Sequence, residues 1–151
     1  MYFIQVYLPS SNHGLLVFKK YLEALDDIVY RYSNFGKLIL MGDFNAHLQG
    51  NMFIKLNDAR SKLLLDFLTK HNMVAIDTMP FCKGAISSFV SYCGNSESLI
   101  DHVICPVEIC DTVVSCNILE DIALNVSNHR PVVCTFKTCD VDAFNGSKAT
   151  V

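Results

Sequence analysis

A change of hydrophobic period along the chain limits its folding options more than any other feature. YFIQVYL (2–8) is β-branched and aromatic and stops at Pro9, which reads as a strand. Leu15, Phe18, Leu22, Leu25, Val29 and Tyr32 then recur at three- and four-residue steps, the apolar stripe of a helix, with Ser11 or Asn12 placed to cap it and Gly36 to close it. KLILM (37–41) is a short continuous apolar run that suits a strand covered on both faces. Asn57 or Asp58 can cap a second helix that runs to about Asn72 with Leu64, Phe67 and Leu68 inward. MVAID (73–77), SSFVSY (87–92), LIDHVIC (99–105), VVSCNIL (113–119) and RPVVCTFK (130–137) are strand-like and separated by turn-rich stretches such as Cys93-Gly94-Asn95-Ser96. The order β-α-β-α followed by several strands predicts an α/β fold, one mixed sheet with helices on one side.

Composition narrows the functions. A chain of 151 residues suits one domain, and 51% apolar against 18% charged residues is enough to build a core. A net charge of −3 excludes a general polyanion-binding surface, so any nucleic-acid contact has to be local or helped by a metal ion. The seven cysteines form no C-x-x-C, and Cys105, Cys116 and Cys134 sit inside apolar runs, so they read as reduced, packed thiols in a reducing compartment. Nothing resembles a signal peptide or the roughly 20 apolar residues of a membrane span. The expected location is therefore intracellular, nucleus or cytoplasm, with no secretion and no membrane partner. Residues 139–151 read as a polar tail behind a domain of residues 1–138.

Polar residues at strand ends are the candidates for chemistry. Asp43, Asn45 and His47 follow LILM, where side chains at the carboxyl end of a strand project toward a ligand crevice, although Gly-Asp and Asn are also ordinary turn residues. His47 reads as a surface loop residue. Asp101 interrupts an apolar run, which is costly unless the carboxylate is paired or binds a cation. Its neighbour His102 points to the opposite face of the strand and cannot be that partner. His129, just before the strand that Pro131 introduces, can supply the imidazole, and an Asp–His pair would orient the ring and favour its protonated form; the alternative is a turn histidine. Tyr7 is a strand-end phenol whose default reading is packing.

Taken in order, V-Y-L-P (6–9), L-I-L-M-G-D-F-N (38–45), S-x-I-D-H-V (98–103) and S-N-H-R-P-V (127–132) resemble the endonuclease/exonuclease/phosphatase superfamily, typified by deoxyribonuclease I and apurinic/apyrimidinic endonucleases. The endonuclease domains of non-LTR retrotransposons are the nearest in pattern, and the resemblance spans residues 2–137. It implies a partial four-layer α/β sandwich and metal-dependent phosphodiester hydrolysis of DNA, with RNA or a small phosphodiester as alternative substrates. Asp43 then resembles the carboxylate that positions or deprotonates water, and Asn45 the amide that donates to a phosphate oxygen and orients that carboxylate. Asp101 resembles the partner that fixes His129, His129 the imidazole on the scissile phosphate, Tyr7 the phenol that stabilises the phosphoryl group, and Phe89 an aromatic beside the sugar or base. Asp43, Asn128 and His129 are the expected metal-side residues, and Mg²⁺ or Mn²⁺ the expected ion, since hard cations take oxygen ligands.

Two departures accompany the resemblance. Asn128 stands where the family has Asp, which removes a charge and should weaken metal binding. The early Asn and the principal metal-binding Glu of the family's N-terminal half have no counterpart, so the expectation is a C-terminal part of such a domain, truncated and weakly active or inert. It would then carry an uncovered sheet face able to pair with the missing half or with another copy.

Overall fold

A computed structural model of the chain describes residues 1–48, 58–120 and 125–137; Asn57 and the expected tail 139–151 lie outside them. Strand β1 (Tyr2–Tyr7) pairs in parallel with β2 (Leu38–Asp43), and helix α1 (Gly14–Tyr32) makes the crossover that parallel strands need. Helix α2 (Ala59–Lys70) follows, then β3 (Met73–Ala75) and three short strands, β4 (Lys83–Gly84), β5 (Phe89–Val90) and β6 (Glu97–Ser98). Strand β7 (Asp101–Pro106) runs antiparallel between β2 and β3, which gives a four-stranded mixed sheet in the order β1-β2-β7-β3. Strands β8 (Val113–Ile118) and β9 (Val132–Phe136) join β4 in a second sheet.

The expected α/β architecture forms, with both helices on one side of the mixed sheet. Side chains alternate across a strand, so consecutive residues feed two cores. Val6, Leu38, Leu40, Met73, Ala75 and Ile104 pack under Phe18, Leu22, Leu25 and Val29 of α1 and Leu64, Phe67 and Leu68 of α2. Ile39, Val103 and Cys105 face the other way and meet Cys116, Val132, Cys134 and Phe136 of the second sheet. Burying such a side chain is worth roughly 1.5–3 kcal/mol, and Phe18, Ile39, Leu40, Phe44, Leu64 and Ile104 are all completely enclosed.

Several local expectations shift. Strands 113–118 and 132–136 leave the mixed sheet for their own, because their apolar faces cover the side of it away from the helices. On β1 and β2, Phe3, Tyr7 and Met41 remain exposed. Ser11 and Asn12 do not cap α1, since Ser11–His13 forms a 3-10 turn and His13 takes the cap position. Asp58 does cap α2, accepting from the N–H groups of Arg60 and Ser61 at 3.2 and 3.4 Å. The run MVAID stops early, with Ile76–Thr78 in a 3-10 turn that turns Asp77 into the core.

Candidate active site

The ends of three strands converge. Register places Tyr7 of β1 beside Asp43 of β2, and Asp43 opposite Asp101 of β7, so all three lie in one row across the sheet. The row depends on close approach of β1 and β2 at Gly42, whose φ is 137° and where a Cβ would come within 2.1 Å of the Val6 carbonyl oxygen. Only glycine adopts that backbone in that space.

Asn45 adopts a left-handed conformation, φ 47°, as short polar side chains can. Its backbone N–H donates to Asp43 Oδ1 at 2.9 Å, which orients the carboxylate, and its side-chain Nδ2 donates to the Leu8 carbonyl at 2.8 Å, which ties this turn to the end of β1. The amide therefore already spends one donor on the backbone; a phosphate would have to take the other N–H. Burial holds the Asp43 carboxyl above its ordinary range, the Asn45 N–H pulls it down, and the charge of Asp101 pushes it up again.

His129 lies in the turn that precedes β9. Its Nδ1 lies 2.8 Å from Asp101 Oδ2, so the ring is fixed by the carboxylate that the sequence singled out. The turn that carries it is built from its own polar residues: Ser127 Oγ accepts from the His129 N–H at 3.1 Å, and Asn125 Nδ2 donates to the His129 carbonyl at 2.7 Å. Phe89 packs against the imidazole, ring centroids 4.9 Å apart, and bridges to it through the backbone. Buried Ser88 adds a second anchor, its Oγ accepting from the N–H groups of Ile100 and Asp101 at 3.1 and 2.9 Å.

One ligand atom each from Asp43, Asp101 and His129 all fall within 4.8 Å of one another. A cavity of about 490 Å³ lined by Tyr7, Asp43, Asn45, His47, Phe89 and His129 opens beside Asp43 and His129. His47, the loop residue, is half-buried in the cavity wall. Tyr7 is mostly open to solvent rather than packed, 72% exposed at the cavity rim. Asn128 stands next to His129 in sequence. It is exposed, and its backbone carbonyl accepts from the Val90 N–H at 2.9 Å.

Two supports were missed in the sequence. His102 and Asp77 form a pair with both side chains fully buried, Nδ1 to Oδ2 2.7 Å, and His102 Nε2 lies 2.9 Å from the Ala46 carbonyl. Both ring nitrogens thus face acceptors. Burial opposes charge on the ring, yet Asp77 and the Ala46 carbonyl hold its pKa above the ordinary value, and an imidazolium satisfies both contacts. The pair anchors the turn that carries Asn45. Arg60, also buried, donates from its guanidinium to the Pro9 and Ser10 carbonyls at 2.6 and 2.8 Å, lies over the Phe18 ring and reaches the cavity wall. Asp77 and His102 interrupt apolar runs as Asp101 does, and that cost was the available signal; Arg60 gave none.

A nuclease-type α/β sandwich with an Asp–Asp–His cluster at its strand ends defines the class, the endonuclease/exonuclease/phosphatase superfamily. Within it, residues 1–133 match the endonuclease-reverse transcriptase family, to which the chain belongs. Among solved structures it is similar to a 3′ phosphatase, NExo, from Neisseria bound to product DNA hairpin, with TM-score 0.72, 20% identity, and 90% of this chain and 61% of that one covered. The endonuclease domain of TRAS1, a telomere-specific non-LTR retrotransposon, matches with TM-score 0.62 and 24% identity over 80% of this chain and 52% of that one. An AP endonuclease from Archaeoglobus fulgidus matches with TM-score 0.65 and 18% identity, covering 90% and 61%. The chain therefore spans between half and two thirds of the length of these structures. No curated protein sequence is significantly similar to it. No helix among the described residues is long and apolar enough to cross a membrane.

Proposed function

We propose that the chain is the C-terminal part of a divalent-metal-dependent phosphodiester hydrolase of retrotransposon type, acting on DNA. The observation that carries this reading is the convergence of Asp43, Asp101 and His129, from three segments far apart in sequence, to within 4.8 Å. The residues fit a hard cation: two carboxylates repel each other at close range, and a bound ion offsets both the repulsion and the burial that raises the Asp43 pKa. Mg²⁺ or Mn²⁺ would sit against the Asp43 side of the cluster and supply charge neutralisation at the phosphate.

The chain's own groups divide the remaining work. Asp43, held by the Asn45 N–H, orients a water and accepts its proton. Asp101 fixes the His129 ring through Nδ1, which leaves Nε2 to donate to a phosphate oxygen. Tyr7, at the rim, donates to a second phosphate oxygen, and Phe89 offers a face to the sugar or base. Asn128, which keeps a carbonyl acceptor without the negative charge, holds a metal more weakly than an aspartate there would. The outward side of β1 and β2 is where the remainder of such a domain, or a second copy, would pack.

Nicking of supercoiled plasmid by the purified chain with Mg²⁺ or Mn²⁺ tests the reading. Asp43→Ala and His129→Ala are each expected to lower it roughly 10²–10⁴-fold. Intact plasmid at high protein and metal, with no metal binding by calorimetry, would leave the chain catalytically inert. Turnover of a small phosphodiester without plasmid cleavage would move the substrate to that class, which the net charge of −3 favours.

A further inference from the structure

Three thiols cluster away from the cleft. Cys116 of β8 is 1% exposed, and its Sγ lies 3.2 Å from Cys134 Sγ on β9 and 3.4 Å from Cys82 Sγ just before β4. All three are free, and Cys82 and Cys134 are only half-buried. Among the described residues they do not close into a group that could hold a metal ion; Asp43, Asp101 and His129 alone do so.

The ladder decides which pair is built to react. Leu119 N–H donates to the Pro131 carbonyl at 2.9 Å, so these two form a hydrogen-bonded pair. In an antiparallel ladder such pairs alternate with non-hydrogen-bonded ones, so Ile118 and Val132 are non-bonded, Asn117 and Val133 bonded, and Cys116 and Cys134 non-bonded again. The one register shift falls between Val113 and Ser115, outside this stretch. Side chains approach most closely at non-hydrogen-bonded positions, with Cα atoms about 4.5 Å apart, just inside the roughly 4.4–6.8 Å that a disulfide spans. We infer that Cys116 and Cys134 are a redox modification site: a cross-strand disulfide that forms with hydroperoxides and joins β8 to the strand that follows His129.

The chemistry balances with the peroxide as oxidant. The half-buried Cys134, as thiolate, attacks one peroxide oxygen; an S–O bond forms, the O–O bond breaks and hydroxide leaves, taking a proton to become water. Cys116, a thiol whose pKa is held up by its contact with Cys134 and by burial, then attacks the Cys134 sulfur; the S–S bond forms, the S–O bond breaks, and the departing hydroxide takes the Cys116 proton as the second water. Two thiols lose two electrons, and one hydrogen peroxide becomes two waters. Cys82, 3.4 Å from Cys116, competes for it by exchange, but it lies just outside β4, whereas the ladder register holds Cys134 directly opposite Cys116 at 3.2 Å.

The test needs no nuclease activity and stands apart from the hydrolytic reading. The full chain is treated with hydrogen peroxide, its monomer fraction alkylated while unfolding, and digested by trypsin with a protease that cuts before aspartate. The three thiols then fall on separate peptides, 77–83, 111–120 and 121–137. The expected product is 111–120 joined to 121–137, lighter than the two free peptides by about two hydrogens. Cys116→Ser should abolish it and Cys82→Ser should leave it. A fully alkylated Cys116 alongside an oxidised, exposed Cys93 would overturn the proposal, and so would Cys116 joined chiefly to Cys82 or to a second chain.

Discussion

Asp43 carries the cost of the site. Its carboxyl is half-buried, faces Asp101 across the ladder and titrates above its ordinary value of 3.8, with burial the leading cause. In the window between 3.8 and the raised folded value, the folded chain binds more protons than the unfolded one, so stability falls as pH rises through it. The penalty is absent below the window and complete above it. Asp43→Asn keeps an oxygen to accept the Asn45 N–H and removes the charge. The variant is expected to lose hydrolysis yet melt roughly 1–3 °C higher at neutral pH. The gap should close as pH is lowered through the window, and added Mg²⁺ should raise the melting temperature of the wild type alone. Equal melting curves at every pH would remove the argument that burial, relieved by a cation, sets this residue's state.

Strand β7 serves two purposes because its side chains alternate: Asp101 turns to the cleft and His102 to the core. His102 with Asp77 ties β7 to the 3-10 turn after β3 and to the Ala46 carbonyl, while Asp77 Oδ1 accepts from the Val103 N–H at 2.8 Å. Removing one member of a buried pair strands the other, so Asp77→Ala is expected to cost about 3–5 kcal/mol by chemical denaturation. The raised His102 pKa means the pair's contribution is complete below the ordinary histidine value of 6.5 and lost as pH rises through the folded one. A cost below about 1 kcal/mol would show the pair to be dispensable. Helices α1 and α2 were legible from their apolar stripes, strands β1, β2 and β7 from β-branched and apolar runs bounded by turn residues, and Asp43, Asp101 and His129 because charge at a strand end or inside an apolar run stands out. The Asp77–His102 pair was harder: its two members belong to different segments, and only tertiary packing decides that they meet. The division of strands between two sheets was hidden for the same reason, since apolar alternation marks a buried face and not the partner that buries it.

At the scale of the molecule, the second sheet covers only part of the mixed one. It shields Ile39 and Val103, yet leaves Phe3 59% and Met41 37% exposed on the adjacent strands. Strand β1 is also the outermost strand of its sheet, so unpaired backbone groups lie beside that apolar surface. An exposed edge next to an apolar face is a template for another chain. The expected behaviour is concentration-dependent association, seen by sedimentation velocity as a rising weight-average coefficient. Phe3→Lys combined with Met41→Lys should return the chain to monomer while shifting unfolding free energy by no more than about 1 kcal/mol, because neither side chain is enclosed. Lysine at both positions opposes pairing through charge and leaves the helix-side core of Val6, Leu38 and Leu40 untouched. If the wild type sediments as a monomer across the whole concentration range, this face is tolerated in water and is no docking surface for a second copy.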